Sequence, residues 1–208
     1  MKKSYIAVVD FGAGNLHSVA KALETVRCPV LVTSEPDEIL DADGIILPGV
    51  GASPSAMNSL NAKGLVKTLK HIAERGTPFL GVCLGLQLLM GRSEEGDVDC
   101  LDIVQGRVRK FVGVLKVPHM GWNEVVLLED HPVFDGIPQG TYFYFVHSYY
   151  VDPDDNNVVL ARTGYGVNFC SVLAKGNIIG TQFHPEKSAD LGLKLYSNFA
   201  SFALGRNM

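Results

Sequence analysis

The chain of 208 residues is 47% hydrophobic and 19% charged, with a formal net charge of −4. This balance excludes a disordered chain and an overall basic nucleic-acid footprint. No apolar run approaches the roughly 20 residues needed to span a bilayer, so neither a membrane nor a nucleic acid is an expected partner. The length fits one domain over residues 1–208.

Met1-Lys2-Lys3-Ser4 is basic and leads into Tyr5–Val9, an apolar run stopped by Asp10. It is too short for a secretion signal and reads as a first strand. Asn15–Val26 has helical periodicity, Pro29–Thr33 reads as a strand, and Gly44–Leu47 as a strand ended by Pro48-Gly49. Pro54–Ala73 reads as helix with a break at Gly64, Pro78–Val82 as a strand and Leu84–Met90 as the next helix. Short β-branched strands alternating with helices predict an α/β fold of three layers, with a mostly parallel central sheet covered on both faces. The second half changes character, since Val104–Phe111, Glu124–Leu128, Tyr142–Val151, Val158–Thr163 and Phe169–Ala174 read as strands joined by turns. Lys175-Gly176-Asn177 predicts a hairpin into Ile178–Phe183, and Leu191–Leu204 a closing helix. The sheet is therefore expected to be partly antiparallel in this half.

The four cysteines, Cys28, Cys83, Cys100 and Cys170, show neither CxxC nor zinc spacing. Reduced thiols in a cytoplasmic protein are expected, with no metal and no cofactor. Cys83 stands apart, in Gly81-Val82-Cys83-Leu84-Gly85, between a predicted strand and a predicted helix. This is the nucleophile-elbow pattern with sulfur in place of hydroxyl. A cysteine at a helix start is favoured as thiolate by unpaired N–H groups and the helix dipole. The same residues also suit a buried cysteine in a glycine-rich packing corner.

A nucleophilic cysteine needs a base, and the base an orienting group. Thr181-Gln182-Phe183-His184-Pro185-Glu186 ends a predicted strand, so His184 can reach the edge that carries Cys83, and Glu186 can hold its ring. By itself the triplet is equally a surface turn. His17, His71, His119, His131 and His147 compete for the role, His71 being on a polar helix. Pro48-Gly49-Val50-Gly51 can aim an N–H at a developing oxyanion, with Leu84 N–H as the second donor, or can simply end a strand. If Gly49 adopts a positive φ, the Gly49–Val50 peptide can flip between an idle and an active state. Gly12-Ala13-Gly14 lacks the third small residue of a dinucleotide fingerprint, because His17 occupies that place.

The Pro48–Gly51, Gly81–Gln87 and His184-Pro185-Glu186 segments have the order and spacing of the class I, or triad, glutamine amidotransferases, which the chain resembles end to end. Asp10–Leu16, Pro118-His119-Met120-Gly121-Trp122-Asn123 and Tyr142–Tyr149 resemble one subfamily, the glutaminase subunits of imidazole glycerol phosphate synthase in histidine biosynthesis. The resemblance implies a triad of Cys83, His184 and Glu186, and oxyanion donors around Gly49, Val50 and Leu84. It implies glutamine held by Gly51, Gln87, Glu95, Ser148 and Tyr149. Asn15, Trp122, Tyr144 and Lys187 would face a (βα)₈-barrel cyclase subunit that receives the ammonia. Trp122 and Tyr144 are also explicable as core aromatics. A related subunit serving a sugar-modifying synthase would keep the same glutaminase, and a cysteine hydrolase on this fold would act without a partner.

Overall fold

The computed structural model describes residues 4–113 and 115–205; Lys2 and Lys3, which made the start read as basic, lie outside them. The first half runs β1 (Ile6–Val9), α1 (Leu16–Thr25), β2 (Val30–Thr33), α2 (Pro36–Asp41) and β3 (Gly44–Leu47). It continues with α3 (Ser53–Ala62), α4 (Leu65–Glu74), β4 (Phe79–Val82) and α5 (Leu84–Leu88). The predicted break is real: Gly64 has φ +68° and divides α3 from α4. The six-residue α2 was not expected; its first turn carries Pro36, Asp37 and Glu38, which suit a helix start.

The second half runs β5 (Arg92–Ser93), β6 (Val98–Asp99), β7 (Gly106–Lys110), β8 (His119–Leu127), β9 (Thr141–His147) and β10 (Tyr149–Pro153). It closes with β11 (Val159–Tyr165), β12 (Val167–Lys175), β13 (Ile178–Thr181) and α6 (Ala189–Leu204). Two expectations are corrected here. The strand expected from Glu124 begins five residues earlier, at His119. The single strand expected over Tyr142–Val151 breaks at Ser148, so that β9 pairs with β8 while β10 pairs with β7 and β12.

Strands β2-β1-β3-β4-β13 lie side by side and all parallel. From β13 the sheet continues antiparallel through β12 and β10 to β7. Strand β12 also pairs with β11, which leads to the β8–β9 hairpin. The four central strands β1, β3, β4 and β13 are buried throughout, as continuous apolar runs covered on both faces must be. Their alternate residues enter two separate cores. Ala7, Val9, Ile45 and Leu47 pack with Ile39, Leu60, Leu69 and Leu86 from α2 to α5. Ile6, Val8, Ile46 and Leu80 pack with Leu23, Leu195 and Phe199 from α1 and α6. The period of two along a strand thus assigns each helix to one face, and the three-layer α/β expectation holds.

Candidate active site

Parallel strands present their carboxyl ends at one edge, which is where such sheets bind ligands. Adjacent β3, β4 and β13 deliver Pro48–Gly51, Cys83 and Gln182–His184 to that edge. Cys83 has φ +53° and ψ −104°, a conformation that residues with a Cβ rarely adopt. It is held there by its own N–H, which donates to Thr181 O at 2.7 Å, and by Gln87 N–H donating to Cys83 O at 3.2 Å. The flanking glycines are required by close approach. A Cβ on Gly81 would stand 2.9 Å from the Gly85 carbonyl, and one on Gly85 would overlap the Leu47 carbonyl.

A cleft of about 360 Å³ opens over Cys83. Its walls include Val50, Gly51, Leu84, Gln87, Glu95, Ser148, Tyr149 and His184, all expected at the site, and Lys187, expected on the partner face. Pro118 and Val146 also line it and were not expected there, and so does His147, one of the competing histidines. Gly49 precedes Val50 of this wall, and the flip considered for the Gly49–Val50 peptide would require it to take a positive φ. Its φ is not positive; the positive φ belongs to Gly51, at +105°. What excludes a side chain at Gly49 is Leu84, whose Cβ would be 2.7 Å from the added carbon. Gln87 Nε2 donates to Tyr149 O at 2.9 Å, and Glu95 Oε2 accepts from Ser53 N–H at 2.7 Å, which ties both side chains to backbone.

His184 and Glu186 meet as expected. Nδ1 of His184 lies 2.8 Å from Glu186 Oε1, with both side chains at most 2% exposed. The second carboxylate oxygen accepts from Tyr196 Oη at 3.2 Å, a partner that nothing in the local sequence indicates. The turn is pinned to β9, since His184 N–H donates to Tyr144 O at 2.9 Å and Ser188 Oγ donates to His184 O at 2.7 Å. Burial works against the charged imidazole, but the Cys83 sulfur and then Glu186 outweigh it and raise His184 to about 10. Burial likewise opposes the Glu186 carboxylate, yet the hydrogen bond from His184 brings its pKa below the ordinary carboxyl value. His184 Nε2 is buried without a well-formed hydrogen bond among the described residues, so it is available to a group in the cleft.

The competing histidines are otherwise engaged. His17 and His71 are exposed, and His131 Nδ1 accepts from Val133 N–H. His119 Nδ1 and His147 Nε2 lie 2.9 Å apart, and His147 Nδ1 is 2.8 Å from Tyr149 O. That carbonyl can only accept, so His147 carries its proton on Nδ1 and His119 donates to it. Burial pushes His147 down to about 3 and His119 to about 4, so both rings are neutral.

The β8–β9 hairpin sets Trp122 opposite Tyr144, with ring centroids 6.2 Å apart and edge-to-face, and Lys187 Nζ lies 5.9 Å from the Tyr144 ring centre. Trp122 is 52% and neighbouring Met120 62% exposed, so the core-aromatic reading of Trp122 fails. Asn15, half-buried ahead of α1, makes no side-chain cap hydrogen bond. It is not among the cleft residues.

A buried Cys–His–Glu series at an elbow, on this sheet, defines a class. The chain belongs to the class-I glutamine amidotransferases, whose family model matches residues 7–201. It is 49% identical, over 96% of its length and 98% of the relative's, to the imidazole glycerol phosphate synthase subunit HisH of Dehalococcoides mccartyi strain CBDB1. To the protein of the same name from Moorella thermoacetica it is 52% identical, over 93% of each chain. Among solved structures, a glutamine amidotransferase superimposes with a TM-score of 0.77 at 17% identity, over 98% of this chain and 100% of that one. A chain of the PurLQS structure from Thermotoga maritima superimposes at 0.74 and 19% identity, over 97% and 99%.

Proposed function

We propose that this chain is the glutaminase subunit of imidazole glycerol phosphate synthase, hydrolysing L-glutamine to glutamate and ammonia with Cys83, His184 and Glu186 as its triad. The observation that carries this is the convergence of the strained Cys83 and the Glu186-held His184 on one cleft, in a chain about half identical to HisH subunits over nearly its whole length.

The Cys83 thiolate adds to the side-chain carbonyl carbon of glutamine, and the C–O electron pair moves onto oxygen. Val50 N–H and Leu84 N–H receive that oxyanion, Gly49 lying close enough to Leu84 to bring the two backbones together. Protonated His184 gives its proton to the amide nitrogen, the C–N bond breaks, and ammonia leaves a glutamyl thioester. His184 then takes a proton from water as the oxygen attacks the thioester, and the thiolate is regenerated with glutamate released. Gly51, Gln87, Glu95, Ser148 and Tyr149 surround the glutamine. Residues 1–208 act as one domain.

The synthase partner, in this proposal, is a (βα)₈-barrel cyclase that docks over Trp122, Tyr144, Lys187 and Asn15. It uses the ammonia to form imidazole glycerol phosphate and aminoimidazole carboxamide ribotide. Exposed Trp122 and Met120 supply the apolar centre that a stable interface needs. The test is steady-state glutamate release by the isolated chain, by its complex with the cyclase, and by the complex with the cyclase's nucleotide substrate. Slow turnover alone and a large increase in the complex are expected. Equal rates in all three, or no complex at all, would overturn the assignment to this synthase. Ammonium should restore product formation to a complex carrying His184→Asn, because the cyclase reaction needs ammonia and not the triad.

A further inference from the structure

Gln182 lies between β13 and His184, fully buried, and the chemistry above makes no use of its side chain. Its Nε2 is 3.6 Å from Cys83 Sγ, and its Oε1 is 3.2 Å from Gln87 Nε2. The oxygen and nitrogen of an amide have almost the same shape, so the end that faces the sulfur must follow from the surrounding hydrogen bonds. Those bonds leave one arrangement. Gln87 Nε2 is 2.9 Å from Tyr149 O, and a backbone carbonyl only accepts. Gln87 therefore directs its NH₂ there, and the second hydrogen of that NH₂ points at Gln182. A donor on Gln87 calls for the oxygen of Gln182, which leaves the Gln182 NH₂ toward Cys83. Reversing Gln182 would set NH₂ against NH₂; reversing Gln87 would set carbonyl against carbonyl. Tyr149 O also accepts from His147 Nδ1, and the backbone N–H of Gln182 donates to Ser171 O at 2.9 Å, which holds the residue's main chain in place.

Besides His184, the sulfur has two polar neighbours of opposite kind among the described residues. Val146 O, at 3.9 Å, can receive a thiol hydrogen and favours the protonated form. An amide N–H favours the thiolate, because a hydrogen bond to an ionised acceptor is stronger than one to a neutral acceptor. We propose that Gln182 is a hydrogen-bond donor to the reacting sulfur, stabilising the Cys83 thiolate and holding its rotamer for attack on glutamine. This rests on the assignment of Cys83 as the nucleophile. The titratable groups on the walls around the sulfur are His184, His147, Glu95, Tyr149 and Lys187. Unlike these, an amide keeps its hydrogens at every pH, so losing it displaces the whole titration of the thiol.

The test uses the intact chain with Gln182→Glu, which keeps the shape and the acceptor for Gln87 but replaces NH₂ by oxygen, and with Gln182→Met, which keeps only the length. Alkylation of Cys83 by iodoacetamide is followed across pH by peptide mass spectrometry. Both variants should titrate at higher pH by about one unit, giving about tenfold slower labelling on the acid limb. Glutamine KM should change far less than kcat. A folded variant whose pH profile superimposes on that of the parent overturns the proposal. Should neither variant fold, the parent decides: the side-chain ¹⁵N–¹H resonances of Gln182 should move with the midpoint of Cys83 alkylation, and unmoved resonances overturn the proposal equally. A glutamine-analogue alkylator separates the two assignments. If the parent hydrolyses glutamine while this reagent leaves Cys83 unlabelled, the nucleophile is misassigned. If Cys83 is labelled and the Gln182 profiles are unchanged, only the role of Gln182 fails.

Discussion

Glu186 Oε1 sits 2.8 Å from His184 Nδ1, and both side chains are closed off from solvent. The contact fixes which ring nitrogen is committed and which is left for chemistry. With Nδ1 on the carboxylate, Nε2 is the nitrogen that can exchange a proton in the cleft. Breaking such a buried pair by removing one charge costs far more than losing a surface salt bridge, about 3 kcal/mol or more. Five expectations follow from this arrangement and its surroundings.

Cys83→Ala should lower glutamate release by at least on the order of 10⁴-fold, as expected when the nucleophile of a triad is removed. Cys100→Ala and Cys170→Ala should keep most of the activity. Burial pushes their thiols up to about 11 and about 12, so neither supplies a thiolate near neutral pH. Glutamate assays on the three purified variants check this, and an active Cys83→Ala would sink the triad.

The stability that the His184–Glu186 pair contributes should depend on pH in a defined direction. The imidazole, raised by the Cys83 sulfur first and then by Glu186, contributes fully below its unfolded value of 6.5 and loses that contribution as pH climbs through about 10, and the Glu186 share of it belongs to the pair. The lowered carboxyl contributes fully above its unfolded value of 4.5 and loses it as pH falls through the folded value. The difference in unfolding free energy between the parent and Glu186→Gln should therefore be largest between 4.5 and 6.5 and shrink toward pH 10. Urea unfolding of both proteins at mildly acidic and alkaline pH measures it; equal differences would contradict the coupling.

Tyr196→Phe removes a single hydroxyl from Glu186 Oε2. The cost should be about 1–3 kcal/mol of stability, with kcat reduced and glutamine KM nearly unchanged, since Tyr196 acts only through Glu186. Thermal unfolding and Michaelis kinetics resolve the two effects. An unchanged kcat would mean that the hydroxyl does not help to place the carboxylate.

Gly49→Val should reduce glutaminase activity by roughly 10² or more, as loss of an oxyanion donor does. The added carbon meets Leu84 Cβ at 2.7 Å and Gly85 N at 3.0 Å, so the loop or the elbow must move. Binding of the cyclase should be affected much less. Activity close to that of the parent would show that the close approach of Gly49 to Leu84 is dispensable.

Trp122→Ala should weaken cyclase binding by about 2 kcal/mol or more while leaving the fold of the lone chain intact, because the ring is half exposed rather than built into the core. Titration calorimetry and circular dichroism distinguish these. A large loss of fold without a change in affinity would return Trp122 to a structural role.

Much of this was legible in the residues. Apolar runs of four or five residues marked β1, β3 and β4, and Gly64 marked the division of α3 from α4. The elbow around Cys83 and the His184-Pro185-Glu186 turn were visible because backbone geometry is imposed locally: a sharp turn needs glycine, and a proline fixes the path to Glu186. The short α2 escaped because six residues carry too little periodicity. The break at Ser148 escaped because Tyr142–Val151 contains neither glycine nor proline. Only the folded chain shows that its two halves pair with different strands.

The sequence by itself determined the parallel strands, the elbow, the triad candidates and the class they resemble, since each rests on neighbours within a few positions. Tertiary structure alone decided that Tyr196 supports Glu186, that His147 and His119 are a neutral buried pair, and that Gln182 turns its amide hydrogens to Cys83. Gln182 and Cys83 are 99 positions apart, and Gln87 and Tyr149 are 62 apart. Side chains so distant in sequence meet through strand register and the order β3-β4-β13. The direction of each hydrogen bond is then set by what the next group can donate or accept, a property of the assembled network that no local pattern encodes.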